Sequence, residues 1–254
     1  MGYEDYLNEE LLAKKNYLNS YLKELQTPHT DESGIFRDEM TLRHLGIKIK
    51  LPFDVSVKYE KNEEIVGNEK EFLKNSYFFE STKNLGHMII ERQSDSFVLI
   101  KIQNPSREFI KSQFKNNIDL IRENICYHEE THAMQATCNW TTIGDLIEEL
   151  SSKKIPEVTR SIFSNIDDIN RTLNTYPDKI KLMKLYLDNY SMTATNKNIN
   201  SNEYIELIAD LVAQLKIKQK TKNYKSDLTE LNKFGMRKLR SPVYQPLIAD
   251  LGLK

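Results

Sequence analysis

Two histidines and the glutamate between them carry the chemistry that this sequence suggests. They stand in the stretch 127–135, YHEETHAMQ, which contains the pattern HExxH as His128, Glu129 and His132. A helix advances about 100° per residue, so histidines four positions apart project from one face with side-chain roots roughly 6 Å apart. That spacing suits two imidazole ligands of one metal ion, and zinc accepts such ligands at about 2.0 to 2.1 Å. Glu129 would then lie beside the fourth coordination position, where it can take a proton from water.

A resemblance to a known superfamily rests on two segments. The residues HEETHA, 128–133, are similar to the HELTHA signature of the thermolysin-like gluzincins, zinc metallopeptidases whose third ligand is a glutamate on a later helix. In that superfamily the later helix carries E-x-x-x-D or E-x-x-x-E, and the second acid supports a histidine ligand. The segment 202–212, NEYIELIADLV, fits with Glu206 and Asp210. The resemblance covers about thirty residues and implies a zincin-like fold, one zinc ion and peptide hydrolysis.

A coincidental pair of histidines on a surface helix is the alternative to a metal site. With five histidines in 254 residues, a random match to HExxH is expected in roughly one chain per hundred or fewer. Glu130 favours the alternative, because helices of this class of peptidase usually place an apolar residue at that position.

The third ligand is predicted to be a carboxylate that follows the motif. No histidine follows His132, so the third histidine of a metzincin is absent. Cys138 stands where that histidine is expected, but Gln135 replaces the glycine that would turn the chain back toward the metal. Cys126 lacks the Gly-Cys-Leu context of the peptide deformylases.

Three acids share one face of the later helix, whose other positions are largely apolar: Glu203, Glu206 and Asp210. Buried carboxylates are costly unless they are paired or bound to a metal, so this pattern favours a site. Glu206 is the expected ligand, and Asp210 is expected to accept the N–H of a ligating histidine. Glu203 as the ligand, or an exposed acidic stripe without a metal, are the alternatives.

The composition of the chain limits the kinds of binding partner and the cellular compartment that we expect for the protein. The chain has 36 Lys and Arg against 37 Asp and Glu, which gives no electrostatic argument for a nucleic-acid partner. No apolar run approaches 18 residues and no signal-peptide core is visible, so no membrane insertion is expected. Cys126 and Cys138 would be about 18 Å apart on one helix and are predicted to be free thiols. The expected location is the cytoplasm, or a host cell into which the protein is delivered without a classical signal peptide.

The pattern of apolar residues predicts an α+β, zincin-like fold in three parts. These are an N-terminal helical segment at 1–45, a small antiparallel sheet lobe at 46–105, and the motif helix with a larger helical lobe at 106–254. Strands are expected at 47–51, 55–59, 88–92 and 97–102. By analogy with gluzincins, strand 97–102 is expected to be the edge that pairs with an extended substrate, and a purely structural edge is the equal alternative. Helices are expected at 3–26, 37–45, 69–79, 143–152, 157–173, 179–190, 202–220 and 226–240.

The functional hypothesis is a zinc metallopeptidase that hydrolyses peptide bonds of a protein substrate, with Glu129 as general base. Candidates to stabilise the oxyanion are Tyr190, Tyr204, Tyr244 and Arg240. One alternative is a catalytically silent or regulatory zinc-binding protein that binds a protein partner. Another is an effector or toxin, an enzyme whose substrate is a protein of a foreign cell.

Overall fold

The computed structural model describes residues 38–61, 86–92, 97–105, 107–113, 117–173, 201–221 and 245–250. In these residues the protein is mixed α and β, with two small sheets. The strands are β1 Glu39–Leu42, β2 Ile47–Lys50, β3 Asp54–Lys61, β4 His87–Arg92 and β5 Phe97–Asn104. The helices are α1 Arg107–Gln113, α2 Ile118–Ala136, α3 Trp140–Ser151, α4 Glu157–Leu173, α5 Ser201–Lys220 and α6 Gln245–Asp250. The helices expected at 3–26, 69–79, 179–190 and 226–240 lie outside the described residues.

The expected helix at 37–45 is wrong, because part of this segment is the strand β1. Met40 and Leu42 are buried while their neighbours in the strand are exposed, which is the period-two pattern of a strand with one face on the core. β1 pairs antiparallel with β2. Gly46 closes the turn between them with φ 75°, and its N–H donates to the carbonyl oxygen of Leu42 at 2.9 Å. The expected division of the chain into segments 1–45, 46–105 and 106–254 is not tested by these contacts and stays a prediction.

The second sheet has the strand order β3-β5-β4. β4 and β5 pair antiparallel, as expected for the strands 88–92 and 97–102. β3 pairs parallel with β5, so this sheet is mixed and departs at one pairing from the expected antiparallel sheet. The expected edge role of strand 97–102 is wrong for the same reason: β5 is central, and β4 is an edge of this sheet within the described part of the chain. The long connection between β3 and β4 lets these two strands lie on opposite sides of β5.

The motif helix α2 is buried, so the alternative of a surface helix is wrong. Twelve of its 19 residues are buried, including every residue from 124 to 131. A helix that is buried around its circumference is held by neighbours on several sides. Here α1, α3, α5, β4 and β5 all contact it. Such packing fixes the direction of the motif side chains more firmly than a loop could.

Helices α3 and α4 position α5 against the motif helix. The helix expected at 157–173 is confirmed, and that at 202–220 is confirmed to within one residue, whereas α3 begins three residues before the expected 143. Asp167 of α4 accepts hydrogen bonds from the backbone N–H groups of Trp140 at 2.6 Å and Thr141 at 2.9 Å, and so caps α3. The Trp140 ring stacks on that of Tyr204, with centroids 6.1 Å apart. This contact anchors α5 close to Glu206.

Both cysteines are free, as predicted, and both are buried. Cys138 follows the end of α2 in the left-handed backbone region, with φ 61°. Burial, as the largest cause, raises the pKa of the Cys126 thiol to about 12, so the neutral thiol is the stable form. No helix in the described part of the chain has both the length and the apolar character that crossing a membrane requires.

Candidate metal centre

The two motif histidines point at each other across one turn of α2. Their Nε2 atoms are 2.9 Å apart, and the two rings meet almost at right angles, 85°, with centroids 4.6 Å apart. His128 is almost completely buried, whereas the His132 side chain keeps 14% of its surface exposed. The spacing of four residues therefore brings two ring nitrogens to one point, as predicted for a metal site.

Glu206 of α5 brings a carboxylate to the same point. Its Oε2 lies 3.5 Å from His128 Nε2, and its Oε1 lies 3.8 Å from His132 Nε2. The packing of α5 along α2 closes the gap of 74 positions between His132 and Glu206. The structure thus brings together the three side chains that were expected to be ligands.

The separations between these donor atoms suit one small cation. In a tetrahedral site with ligands at about 2.05 Å, neighbouring donor atoms are roughly 3.3 Å apart. The three side chains offer one ligand atom each, and these atoms lie within 4.8 Å of one another. Two imidazoles and one carboxylate are a donor set that binds divalent first-row metals. His128, His132 and Glu206 could therefore hold a metal ion.

Asp210 supports His128 from the side opposite to the cluster. Its Oδ1 lies 2.9 Å from His128 Nδ1, and only 3% of Asp210 is exposed. Burial alone would lower the pKa of His128, but the charges of Asp210, Glu206 and Glu129 outweigh it and raise that pKa to about 10. An imidazole between so many carboxylates is in surroundings that favour a positive charge. Asp210 lies on the Nδ1 side of the ring, so Nε2 faces the cluster; the expected hydrogen bond from the imidazole N–H to Asp210 stays a prediction.

Glu206 is held in its ionised form. Burial would raise the pKa of its carboxyl group, but the contacts with His128 and His132 outweigh burial and hold that pKa well below its ordinary value. The ionised carboxylate is the form that binds a metal. The side chain of Glu203, the alternative ligand, lies outside the described residues.

Gln135 orients His132, a role that the sequence did not suggest. The side-chain Oε1 of Gln135 lies 2.7 Å from His132 Nδ1, and its Nε2 donates to the carbonyl oxygen of Ile205 at 2.9 Å. Because an amide oxygen only accepts, Nδ1 must carry the proton and the Nε2 lone pair faces the cluster. The sequence signal for this role is the position of Gln135, three residues after His132 and therefore on the same side of the helix.

A cleft of about 240 Å³ opens beside the cluster, and Glu129 is part of its wall. The lining residues are Gly86, Met88, His128, Glu129, His132, Ile205 and Glu206. Gly86 and Met88 bring the start of β4 to this wall. A methyl group on Gly86 would lie 2.6 Å from Glu129 Oε1 and 2.6 Å from Ile125 Cγ2. The glycine is therefore required by the close approach of the chain to Glu129, which the sequence did not indicate.

The candidates for an oxyanion donor are not placed at the cleft by the described residues. Tyr204 stacks on Trp140 and is not part of the lining. Tyr190, Tyr244 and Arg240 lie outside the described residues. Cys138 is not part of the cluster, as expected.

In the part of the chain that the structure describes, His128, His132 and Glu206 are the one group of three or more histidine, cysteine or acidic side chains with ligand atoms close enough to share a metal ion. No family model matches the chain, and no match was found among curated proteins or among solved structures.

Proposed function

We propose that the protein is a zinc-dependent metallopeptidase with a zincin-like fold. In this proposal His128, His132 and Glu206 hold one zinc ion, and Glu129 is the general base. The observation that carries the proposal is the convergence of the three ligand atoms beside Glu129 in one cleft. Two imidazoles with one carboxylate are a recurrent ligand set of catalytic zinc sites, which leaves one coordination position open.

The residues of the cleft have separate proposed roles in hydrolysis. Zinc bound to the three ligands would supply a Lewis acid that makes water more acidic and polarises a carbonyl group. Glu129 accepts a proton from the attacking water and delivers it to the leaving nitrogen, so one carboxylate serves as base and then as acid. Asp210 and Gln135 keep the imidazoles in the orientation that ligation requires.

β4 is the proposed binding edge for an extended peptide. An edge strand has free backbone groups that can pair with a substrate strand. Met88 lines the cleft, and Ile90, 40% exposed, lies on the same face of the strand. The pairing with an extended substrate that was expected for strand 97–102 is therefore proposed for β4, residues 87–92. The proposed substrate is a protein or peptide in the cytoplasm, of the producing cell or of a host cell, and the two free cysteines support a reducing compartment.

The deep burial of the cluster favours a second candidate, a regulatory zinc protein that binds a protein partner without hydrolysing it. Glu129 is only 3% exposed and His128 only 2%. Structural zinc sites are closed, whereas catalytic ones keep a position open to substrate. The cleft beside Glu129 favours the peptidase over this candidate.

Metal removal separates the two candidates. We expect the purified protein to contain about one zinc ion per chain and to cleave a proteome-derived peptide library, with cleavage lost after 1,10-phenanthroline treatment and restored by added zinc. Metal content is measured by mass spectrometry, and so are the cleavage products. Bound zinc without cleavage would favour the regulatory candidate, and a protein that takes up no zinc would contradict both.

The Gly86→Ala variant tests the closeness of β4 to the general base. The added methyl group forces the Glu129 carboxylate to move, and a misplacement of about 1 Å in an active site can lower the rate about 10²-fold. We expect kcat to fall by that order while zinc affinity is unchanged, since no ligand is touched. Gly144→Ala is the matched control, because its methyl group would crowd Ile155 and Phe163 at 3.1 Å. A Gly86→Ala enzyme with wild-type kcat would contradict the proposed arrangement.

A further inference from the structure

The turn between β1 and β2 contacts both helices that carry the candidate metal ligands. This turn, residues 43–46, is called the clasp turn below. Its backbone N–H groups bind a side chain of α2, and one of its carbonyl groups binds a side chain of α5. The clasp turn is more than 80 positions from the motif in sequence, so nothing local in the chain indicates the connection.

The carboxylate of Glu130, on α2, accepts hydrogen bonds from the backbone of the clasp turn. Oε1 accepts hydrogen bonds from the backbone N–H of His44 at 3.0 Å and from the Tyr59 hydroxyl at 2.5 Å, and it lies 2.8 Å from His44 Nδ1. Oε2 accepts from the backbone N–H of Leu45 at 2.6 Å. Glu130 is completely buried. A buried carboxylate is tolerated only when its oxygens are paired in this way, so these contacts hold its position strictly.

Lys216 of α5 binds the same turn from the other side. Its Nζ donates to the carbonyl oxygen of Leu45 at 2.8 Å, and its side chain is half-buried. Leu45 therefore joins the two helices, with its N–H on Glu130 of α2 and its C=O on Lys216 of α5. Charged hydrogen bonds of this kind are stronger than neutral ones.

The ligand cluster depends on how α2 and α5 lie relative to each other. Glu130 stands midway between His128 and His132, so a carboxylate fixed in the clasp turn also fixes the rotation of α2 about its axis. Glu206 approaches the two histidines from α5 at 3.5 and 3.8 Å. A shift of either helix by about 1 Å would change these separations enough to spoil a tetrahedral site.

We propose that the clasp turn sets the metal affinity of the site by holding α2 and α5 in register, with Glu130 and Lys216 as positioning residues. This inference rests on the metal site of the proposed function and is independent of hydrolysis. It also gives a role to the charge at position 130, which departs from the apolar residue usual in the gluzincin signature.

Zinc affinity, measured by competition with a chromophoric chelator, tests the clasp turn. We expect Lys216→Met and Glu130→Gln each to weaken zinc binding about 10- to 100-fold, the range seen when groups that support metal ligands are removed. Lys216→Arg should recover most of the affinity, because it keeps the charged donor. Since both side chains act through one turn, the double variant should lose less than the product of the two single losses.

Lys220→Met is the matched control. Lys220 also joins α5 to α2, through Glu123 at 2.8 Å and over the ring of Tyr127 at 5.6 Å, but its ion pair is exposed and it makes none of the hydrogen bonds of the clasp turn. Exposed pairs contribute little to stability, so zinc affinity should stay within about twofold of wild type. A purely structural clasp would lower the midpoint of urea unfolding in the metal-free protein and leave the zinc affinity of the folded variants unchanged.

The zinc affinities of these variants test the role of the clasp turn separately from the proposed function. A folded Lys216→Met protein that binds zinc as tightly as wild type overturns the clasp, even if Glu130→Gln fails to fold. Loss of affinity in Lys220→Met equal to that in Lys216→Met also overturns it. A wild-type protein that binds no zinc overturns both proposals, whereas one that binds zinc but cleaves no peptide overturns the peptidase alone and leaves the affinity comparison valid.

Discussion

Glu129→Gln is expected to bind zinc as tightly as the wild-type protein and to lose about 10²- to 10⁴-fold in kcat. Glutamine has nearly the shape of glutamate, so the wall of the cleft and its contact with Gly86 are kept. Its amide cannot accept a proton from water, and this is the step that the proposed mechanism assigns to Glu129. Glu129 is not one of the three side chains whose ligand atoms converge, so the metal should be unaffected.

The control for this variant makes the same change on the same helix. Glu123 of α2 is 36% exposed and pairs with Lys220, away from the cleft. Glu123→Gln should therefore keep both zinc and kcat. Zinc content by mass spectrometry and the kinetics of one cleaved peptide measure both effects. A Glu129→Gln protein that cleaves as fast as wild type would show that the proposed general base is wrong.

The parts of the site that follow from local geometry could be predicted from the sequence. A spacing of four on a helix brings His128 and His132 together whatever the rest of the fold is. The acids on the apolar face of α5 indicated Glu206 and Asp210, because buried carboxylates need partners. α4 was predicted correctly from its periodicity and from Pro156 just before its first residue.

The parts that depend on long-range contacts could not be predicted. Nothing near Gly86 in the sequence indicates that Glu129 packs against it, and Gln135 acquires its role only through the backbone of Ile205. The segment 37–45 contains a strand of only four residues, which is too short for periodicity to distinguish a strand from a helix. The parallel pairing of β3 with β5 depends on the path of a long connection, which the strand sequences do not contain.

Removal of either histidine ligand should abolish tight zinc binding, but the two variants should differ in the stability of the metal-free protein. His132→Ala and His128→Ala are both expected to weaken zinc binding by more than about 100-fold, the upper end of the loss for a supporting residue. His132 contacts the neutral amide of Gln135 and is partly exposed. Its loss should cost about 1 kcal/mol in the free energy of unfolding.

His128→Ala should destabilise the fold much more, because it leaves a buried charge. Asp210 is 3% exposed, and its Oδ1 lies 2.9 Å from the imidazole that the variant removes. Breaking a buried ion pair by deleting one partner costs about 3 to 5 kcal/mol. Urea unfolding in the presence of a chelator measures this difference. The double variant His128→Ala with Asp210→Asn should recover much of the loss, since it also removes the stranded charge; equal destabilisation by the two single histidine variants would contradict the role of Asp210.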